Sequence, residues 1–190
     1  MSAIVSAMKE FSHPGMDEME ETDINRLVAT TQTVSRNEWK YVADLNLDLE
    51  PDLPLVLAHG GELNQVILNM IVNAAHAIAE TGVVEAGAKG KITITTRTED
   101  DGILLSIRDT GAGIPDSVRA RIFDPFFTSK EVGKGTGQGL AIAQSIIKNH
   151  GGRIHVDSEV GSGTCFQIWL PLASHLEARG QVATSPWRTA

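Results

Sequence analysis

Two glycine-rich stretches and one asparagine-bearing segment hold the residue types from which this chain can build chemistry. Asp109-Thr110-Gly111-Ala112-Gly113-Ile114-Pro115 is followed, about twenty residues on, by Gly133-Lys134-Gly135-Thr136-Gly137-Gln138-Gly139-Leu140, and upstream stands Gln65-x-x-x-Asn69-x-x-x-Asn73-Ala74. Glycine lets backbone N–H groups approach phosphate oxygens with no Cβ in the way. A single loop of this kind is as often a plain turn. Two of them, in this order behind an asparagine-bearing helix, predict a site for a nucleoside triphosphate, ATP, and its metal.

On a helix, at about 100° per residue, Gln65, Asn69, Asn73 and His76 fall within an arc of roughly 80° at the edge of an apolar stripe. Amide oxygens suit a hard cation such as Mg²⁺, which keeps waters and nucleotide phosphates as its other ligands. A merely solvated face would carry Lys and Glu rather than Asn, a poor helix former. His76 reads equally as a phosphate contact or an exposed side chain. Asp109 continues the inward parity of Ile103, Leu105 and Ile107, so its carboxylate points into the protein. A buried carboxylate needs a hydrogen-bonding partner. A turn-forming Asp before Gly is the simpler reading, but with the second glycine loop downstream the expected partner is the amino group of adenine. The alternating glycines 133, 135, 137 and 139 run directly into an apolar helix, whose N-terminal amides can hold triphosphate oxygens. Lys130 and Lys134 add positive charge there.

These groups must be positioned by a scaffold that the apolar periodicity outlines. Asp23 caps a helix from Ile24 to about Arg36, and Val42–Leu49 alternates as a strand with Leu45, Leu47 and Leu49 inward. The long helix spans Glu62–Glu80, with Leu63, Val66, Ile67, Met70, Ile71, Ala74 and Ile78 buried. Lys91–Thr98 and Ile103–Asp109 form a hairpin through Asp100-Asp101-Gly102. A short helix covers about Asp116–Ile122, residues 131–137 form a lid, and Phe123, Phe126 and Phe127 anchor it to the core. Gly139–Asn149 is the last helix, stopped by Gly151-Gly152. Strands Arg153–Ser158 and Thr164–Leu170 close the fold through Gly161-Ser162-Gly163. Three helices against a mixed, mainly antiparallel sheet predict an α+β two-layer sandwich. Residues 1–22 read as the remnant of a preceding helix and linker, 23–172 as the domain, and 173–190 as a disordered tail.

Composition narrows the partners. The 190 residues are 42% apolar and 21% charged, enough for one core and a water-facing surface. The net charge of −8 disfavours nucleic acid or an anionic membrane as the main partner. The longest apolar run, Val66–Ala79, is too short for a bilayer and is interrupted by Asn69, Asn73 and His76, so no direct membrane insertion is expected. No signal peptide is visible, and the expected location is cytoplasmic. Cys165 stands alone and reads as a small buried hydrophobe. His13, His59, His150, His155 and His175 lack metal-ligand spacing.

In this order the motifs resemble the catalytic and ATP-binding domain of bacterial two-component sensor histidine kinases, a family in the superfamily of gyrase, Hsp90 and MutL. The N box resembles Gln65–Ala79, the first glycine box Asp109–Gly113, and the F box Phe123–Lys130. The second glycine box resembles Gly133–Leu140, and a third resembles Gly161–Thr164. Together they cover about residues 40–171. Met8–Glu21, with Phe11-Ser12-His13-Pro14, is similar to the junction after the family's dimerisation domain.

The resemblance implies an ATP-binding α/β sandwich of the superfamily type. It implies Mg²⁺ on Asn73, with Asn69 near the phosphates, and Asn69, Asn73 and Lys130 as the catalytic set. Adenine would lie on Asp109, with Thr164 closing its pocket and a lid from about Asp124 to Gln138. Further nucleotide contacts would come from His76, Gly111, Gly113, Ile114, Phe123, Lys130, Gly135, Thr136, Gly137, Gln138, Gly139 and Leu140. The implied activity is transfer of the ATP γ-phosphate to a histidine on a dimerisation domain, and onward signalling to a response regulator receiver domain. The location stays cytoplasmic whether or not the parent kinase is attached to a membrane.

The chain departs from the family pattern in three places. Gln138 replaces a usual leucine, His76 stands where many members have lysine, and no histidine sits in an H-box setting, since His13 precedes Pro14. This reads as a catalytic fragment unable to phosphorylate itself. A gyrase- or chaperone-type ATPase would place a glutamate base where Asn69 stands. An anti-sigma-type serine kinase would lack the F box. A non-catalytic nucleotide-binding module would keep the same binding motifs.

Overall fold

The computed structural model describes residues 19–127 and 137–172. In chain order its elements are β1 (Glu20–Thr22), α1 (Ile24–Val34), α2 (Arg36–Trp39), β2 (Ala43–Leu49), β3 (Val56–Ala58), α3 (Gly60–Ala79), β4 (Gly90–Glu99), β5 (Gly102–Asp109), α4 (Asp116–Arg119), α5 (Gly139–Asn149), β6 (Arg153–Glu159) and β7 (Gly163–Pro171). Five strands form one sheet in the order β2-β4-β5-β7-β6, parallel between β2 and β4 and antiparallel elsewhere. Helices α1, α3 and α5 supply the apolar layer that packs with the sheet into the core. This is the expected two-layer α+β sandwich.

Period-two alternation explains why only one face of the sheet is covered. Ile92, Ile94 and Thr96 of β4, and Ile103, Leu105 and Ile107 of β5, are buried, while Thr93, Thr95, Leu104 and Ser106 between them are only partly buried and Arg97 and Arg108 that follow are exposed. On α3 all seven residues of the expected stripe are buried, and Asn64 and Ala75 join them. Leu47 follows the inward parity but is 40% exposed, because β2 is an edge strand with a neighbour on one side only. Cys165 is buried, and its burial pushes the thiol above its ordinary range.

Helix ends are set by local chemistry. The Asp23 side chain accepts from the Arg26 N–H at 3.1 Å, so the expected N-cap is present. The C-terminus comes earlier than the expected Arg36. Ser35 turns both its N–H and its hydroxyl onto the Thr31 carbonyl, at 2.9 and 2.7 Å, and α2 begins as a separate turn. The helix expected over Asp116–Ile122 is helical only through Arg119. In the hairpin, Asp100 adopts φ +47°, a left-handed conformation that Asp tolerates.

The sequence reading groups Glu20–Thr22 with the linker. The structure instead pairs them antiparallel with Val56–Ala58, and Thr22 is buried there. Strands of three residues carry too little alternation to announce themselves. The segment 1–18 and the tail 173–190 lie outside the described residues. Among the described residues no helix is long and apolar enough to cross a membrane.

Three side-chain hydrogen bonds from Asn25 and Thr31 tie α1 to the rest. The Asn25 amide donates to the Glu50 carbonyl and accepts from the Thr96 hydroxyl, each at 2.8 Å. Deeper in, the Thr31 hydroxyl donates to Asn64 Oδ1 at 2.9 Å with both residues buried. Thr31→Val keeps the shape but leaves that oxygen without its donor. It should lower unfolding free energy by about 1–3 kcal/mol, measured by denaturant titration. A change near zero would show that the pair is worth no more than apolar packing.

Candidate nucleotide site

Asp109 ends β5 on its inward parity and is 3% exposed. Two backbone donors converge on its Oδ1, the Gly111 N–H at 2.7 Å and the Thr164 N–H at 3.2 Å. Burial pushes the carboxyl above its ordinary range, against the lowering pull of those two N–H groups and of Arg108. Asp109 also lines a cavity. Each neighbouring glycine is required by close backbone approach. A Cβ on Gly163, at φ +107°, would lie 2.1 Å from the Asp109 carbonyl oxygen. One on Gly113, at φ +73°, would lie 2.1 Å from the Glu159 carbonyl oxygen.

The first and third glycine segments are thereby packed backbone to backbone. Gly161 N–H donates to Ala112 O at 2.9 Å, and Ala112 N–H donates to Ala77 O of α3 at 3.0 Å. Ser158 accepts from the Ile114 N–H at 2.8 Å, donates to the Gly163 carbonyl at 3.0 Å, and contacts Thr164 Oγ1 at 2.9 Å. The rim of the pocket is held by main chain, with little side-chain freedom to lose on binding.

A cavity of about 390 Å³ opens beside Asp109, lined by Asn69, Asn73 and His76 from α3, Gly113 and Ile114, Gly137, Gly139 and Leu140 at the start of α5, and Thr164 from β7. Asn69 joins the two helices, its Nδ2 donating to the Gly139 carbonyl at 3.2 Å. Asn69 and Asn73 are half-buried, and His76 is exposed on the same cavity.

Several expected contacts sit elsewhere. Gln65 is exposed, and neither it nor Gln138 is among the residues lining the cavity. Gly111 acts on the Asp109 carboxylate instead of lining the cavity, and a Cβ there would meet Ala77 at 2.6 Å. Phe123 packs against the core, while Phe127 takes a place in the lining. Phe126, expected as a core anchor, is 72% exposed at φ +67°, because the turn after Asp124 rotates it outward. Lys130, Gly135 and Thr136, and Lys134 with them, lie outside the described residues. The sequence reading missed Val118, Ile122 and Phe166 as lining residues. The inward parity of β7 marks Phe166 as buried, but parity cannot separate a core position from a pocket wall.

Asp109→Asn tests the division of labour in the carboxylate. The amide keeps one oxygen for both backbone donors and removes a buried charge. Because folding raises the Asp109 carboxyl, its contribution to stability is present below the unfolded value of about 3.9 and fades as pH rises through the folded value. The Asn variant should therefore match wild type in acid and unfold at the same or a higher temperature at neutral pH. Affinity for an adenine nucleotide should drop by about 1.5–3 kcal/mol, since an amide N–H₂ faces the adenine amino group. Thermal melts across pH and calorimetric titration with ADP check both halves; a lower melting temperature at neutral pH would overturn the burial argument.

Comparison with known proteins agrees with this geometry. Residues 59–174 match the family model described as histidine kinase-, DNA gyrase B-, and HSP90-like ATPase. The chain is 44% identical over 135 residues to sensor kinase CckA of Brucella abortus, covering 67% of this chain and 14% of that protein. It is 34% identical over 173 residues to sensor histidine kinase ZraS of Escherichia coli K12, covering 90% of this chain and 35% of that protein. The catalytic domain of histidine kinase ThkA superposes with a TM-score of 0.68 at 29% identity, over 81% of this chain and 95% of that one. ShkA, solved in complex with AMPPNP, superposes at 0.68 with 25% identity over 89% of this chain and 35% of that one. ThkA in complex with response regulator protein TrrA does so at 0.63 with 26% identity, over 90% and 47%. The chain thus spans well under half of the curated relatives it matches. With its buried aspartate, asparagine helix and glycine-rich helix start around one cavity, the chain belongs to the histidine kinase-, DNA gyrase B- and HSP90-like ATPases, as a catalytic domain of the sensor histidine kinase type.

Proposed function

We propose that this domain binds Mg²⁺–ATP and donates the γ-phosphate to a histidine on a separate dimerisation domain of its parent kinase, which then signals to a response regulator in the cytoplasm. The observation that carries the reading is a single cavity whose lining combines Asp109, the Asn69/Asn73 edge of α3 and the glycine-rich start of α5. AMPPNP in ShkA and the TrrA complex of ThkA support the nucleotide and the receiver partner by analogy.

Each residue has a role that its chemistry allows. Asp109 accepts the adenine amino group, and Thr164 and Phe166 wall the base. Amides at Gly139 and Leu140 meet triphosphate oxygens, with Lys130 adding charge to the γ-phosphate. The neutral amide oxygen of Asn73, beside phosphates and water, is a donor that fits Mg²⁺, with Asn69 near the phosphates. A bound Mg²⁺ would supply positive charge to offset the negative charge of the phosphates. In the transfer, the bond between the γ-phosphorus and the β,γ-bridging oxygen breaks, a bond to the acceptor imidazole nitrogen forms, and ADP leaves. Positioning and charge stabilisation supply most of the rate. Asn69 is an amide and cannot take a proton from water, so hydrolysis should be slow.

Asn73→Ala should weaken ATP binding several-fold more with Mg²⁺ than without it, read by calorimetry in both conditions. Equal losses would assign Asn73 to the fold instead of the metal.

Incubated alone with labelled ATP, the chain should form negligible phosphohistidine. Adding a purified dimerisation domain of the parent should give weak labelling of that domain in trans, because the tether that raises effective concentration is absent. Strong labelling of any of the six histidines of the isolated chain would overturn the proposal.

A further inference from the structure

His59 and His150 are 91 residues apart in sequence, and they join the N-terminus of α3 to the C-terminus of α5. His150 is 2% exposed, and both its ring nitrogens are committed. Nδ1 lies 2.8 Å from the Ile146 carbonyl, which can only accept, so Nδ1 carries the proton. Nε2 lies 3.0 Å from the backbone nitrogen of His59, which can only donate, so Nε2 keeps its lone pair. The two partners together require the neutral Nδ1–H tautomer. A proton added at Nε2 would point at the His59 N–H and break that bond.

The surroundings do little to welcome the charge. Glu62 of α3 reaches 3.9 Å from Nδ1 and favours it, but that carboxylate is half-exposed. The His59 ring stands edge-on at 5.6 Å between centroids and opposes it. Across from α5, β6 turns Arg153, His155 and Asp157 to the open face of the sheet, where Arg153 stacks on Trp169 at 4.6 Å. Burial is the largest influence and holds the imidazole below its ordinary value of about 6.5. Because the folded value is depressed, the bond is intact above that value and its stabilisation is lost as pH falls below it.

The other end of α5 is the phosphate end of the cavity. The helix is 11 residues long, about 16 Å, and is tied to α3 at its start by Asn69 to Gly139 and at its end by His59 to His150. Releasing the second tie removes a polar restraint on α5, so that the helix, still packed through Ala143, Ile146 and Ile147, can shift by a small tilt about Gly139 that redirects the amides at its start. The adenine end stays fixed, since Asp109, Gly111 and Thr164 belong to β5, its loop and β7. We propose that His150 is a proton-sensitive positioning residue, holding α5 aligned on the triphosphate while neutral and releasing it when protonated. The inference rests on the reading above that α5 meets the phosphates.

The test compares a non-hydrolysable ATP analogue, with Mg²⁺, against adenosine on the full chain in a pH series from about 7.5 down to the acid limit of the fold. The ratio of the two affinities isolates the phosphate end. Phosphate oxygens titrate in the same range, so the readout is the difference between wild type and His150→Gln, which offers an acceptor to His59 but does not titrate. The wild-type ratio should fall about tenfold more than that of the Gln variant. His150→Phe, with neither bond, should show the low ratio already at the upper end of the series, and Gln should restore it. Parallel falls in wild type and Gln overturn the proposal. If a variant fails to bind adenosine and has lost the fold, nitrogen-resolved NMR of wild type decides. The Gly139 and Leu140 amides should move with the His150 titration, and their standing still overturns the proposal. An analogue binding no tighter than adenosine at the upper end of the series instead overturns the phosphate reading itself.

Discussion

Everything in this domain depends on how α3 is buried. Its Leu63, Val66, Ile67, Met70, Ile71, Ala74 and Ile78 are all at most 3% exposed, wedged between the sheet, α1 and α5. Burying side chains of that size contributes about 1.5–3 kcal/mol each before the entropy of ordering them is subtracted. That apolar stripe fixes the rotation of the helix, and the rotation fixes which edge faces the cavity. Asn69 and Asn73 therefore reach the site because the hydrophobic residues beside them cannot be anywhere else. Polar function on a helix edge is positioned by its apolar neighbours.

The second organising feature is the use of main chain in place of side chains. The Asp109 carboxylate is held by two backbone N–H groups, and the loops around it touch through carbonyls with no room for a Cβ. A carboxylate so held does not need to be recruited by the ligand. Its burial raises its proton affinity, against the pull of the two N–H groups that hold it. His150 shows the complementary arrangement, where burial and two fixed partners select the neutral ring. The Asp109 end and the Gly139 end of the cavity are thus anchored by different elements, one by strands and loops and the other by a helix.

Much of this was legible in the residues. The stripe on α3, the alternation of β4 and β5, the Asp23 cap and the whole span of α5 follow from periodicity and capping alone, because each is a local regularity of four or more residues. The inward direction of Asp109 followed from strand parity, and its association with a glycine-rich helix start followed from motif order. The family resemblance placed the same residues in one site, and the cavity brings together Asn69, Asn73, His76, Asp109, Gly113, Ile114, Gly137, Gly139, Leu140 and Thr164, while Gly111, Phe123 and Gln138 stand outside its lining.

What periodicity could not reach is anything that depends on two distant segments meeting. Pairing of Glu20–Thr22 with Val56–Ala58 leaves no local trace in strands of three residues. The outward turn of Phe126 depends on a positive φ that composition does not dictate. His59 and His150 look like unrelated surface histidines in the sequence, because a helix C-cap and a helix N-terminus 91 residues apart become neighbours only once α5 packs on α3. The sequence by itself determined which residues are apolar, which turns need glycine, and which side chains can accept or coordinate. Tertiary structure alone decided which of them share a cavity, since that depends on helix rotation and sheet register summed over the whole core.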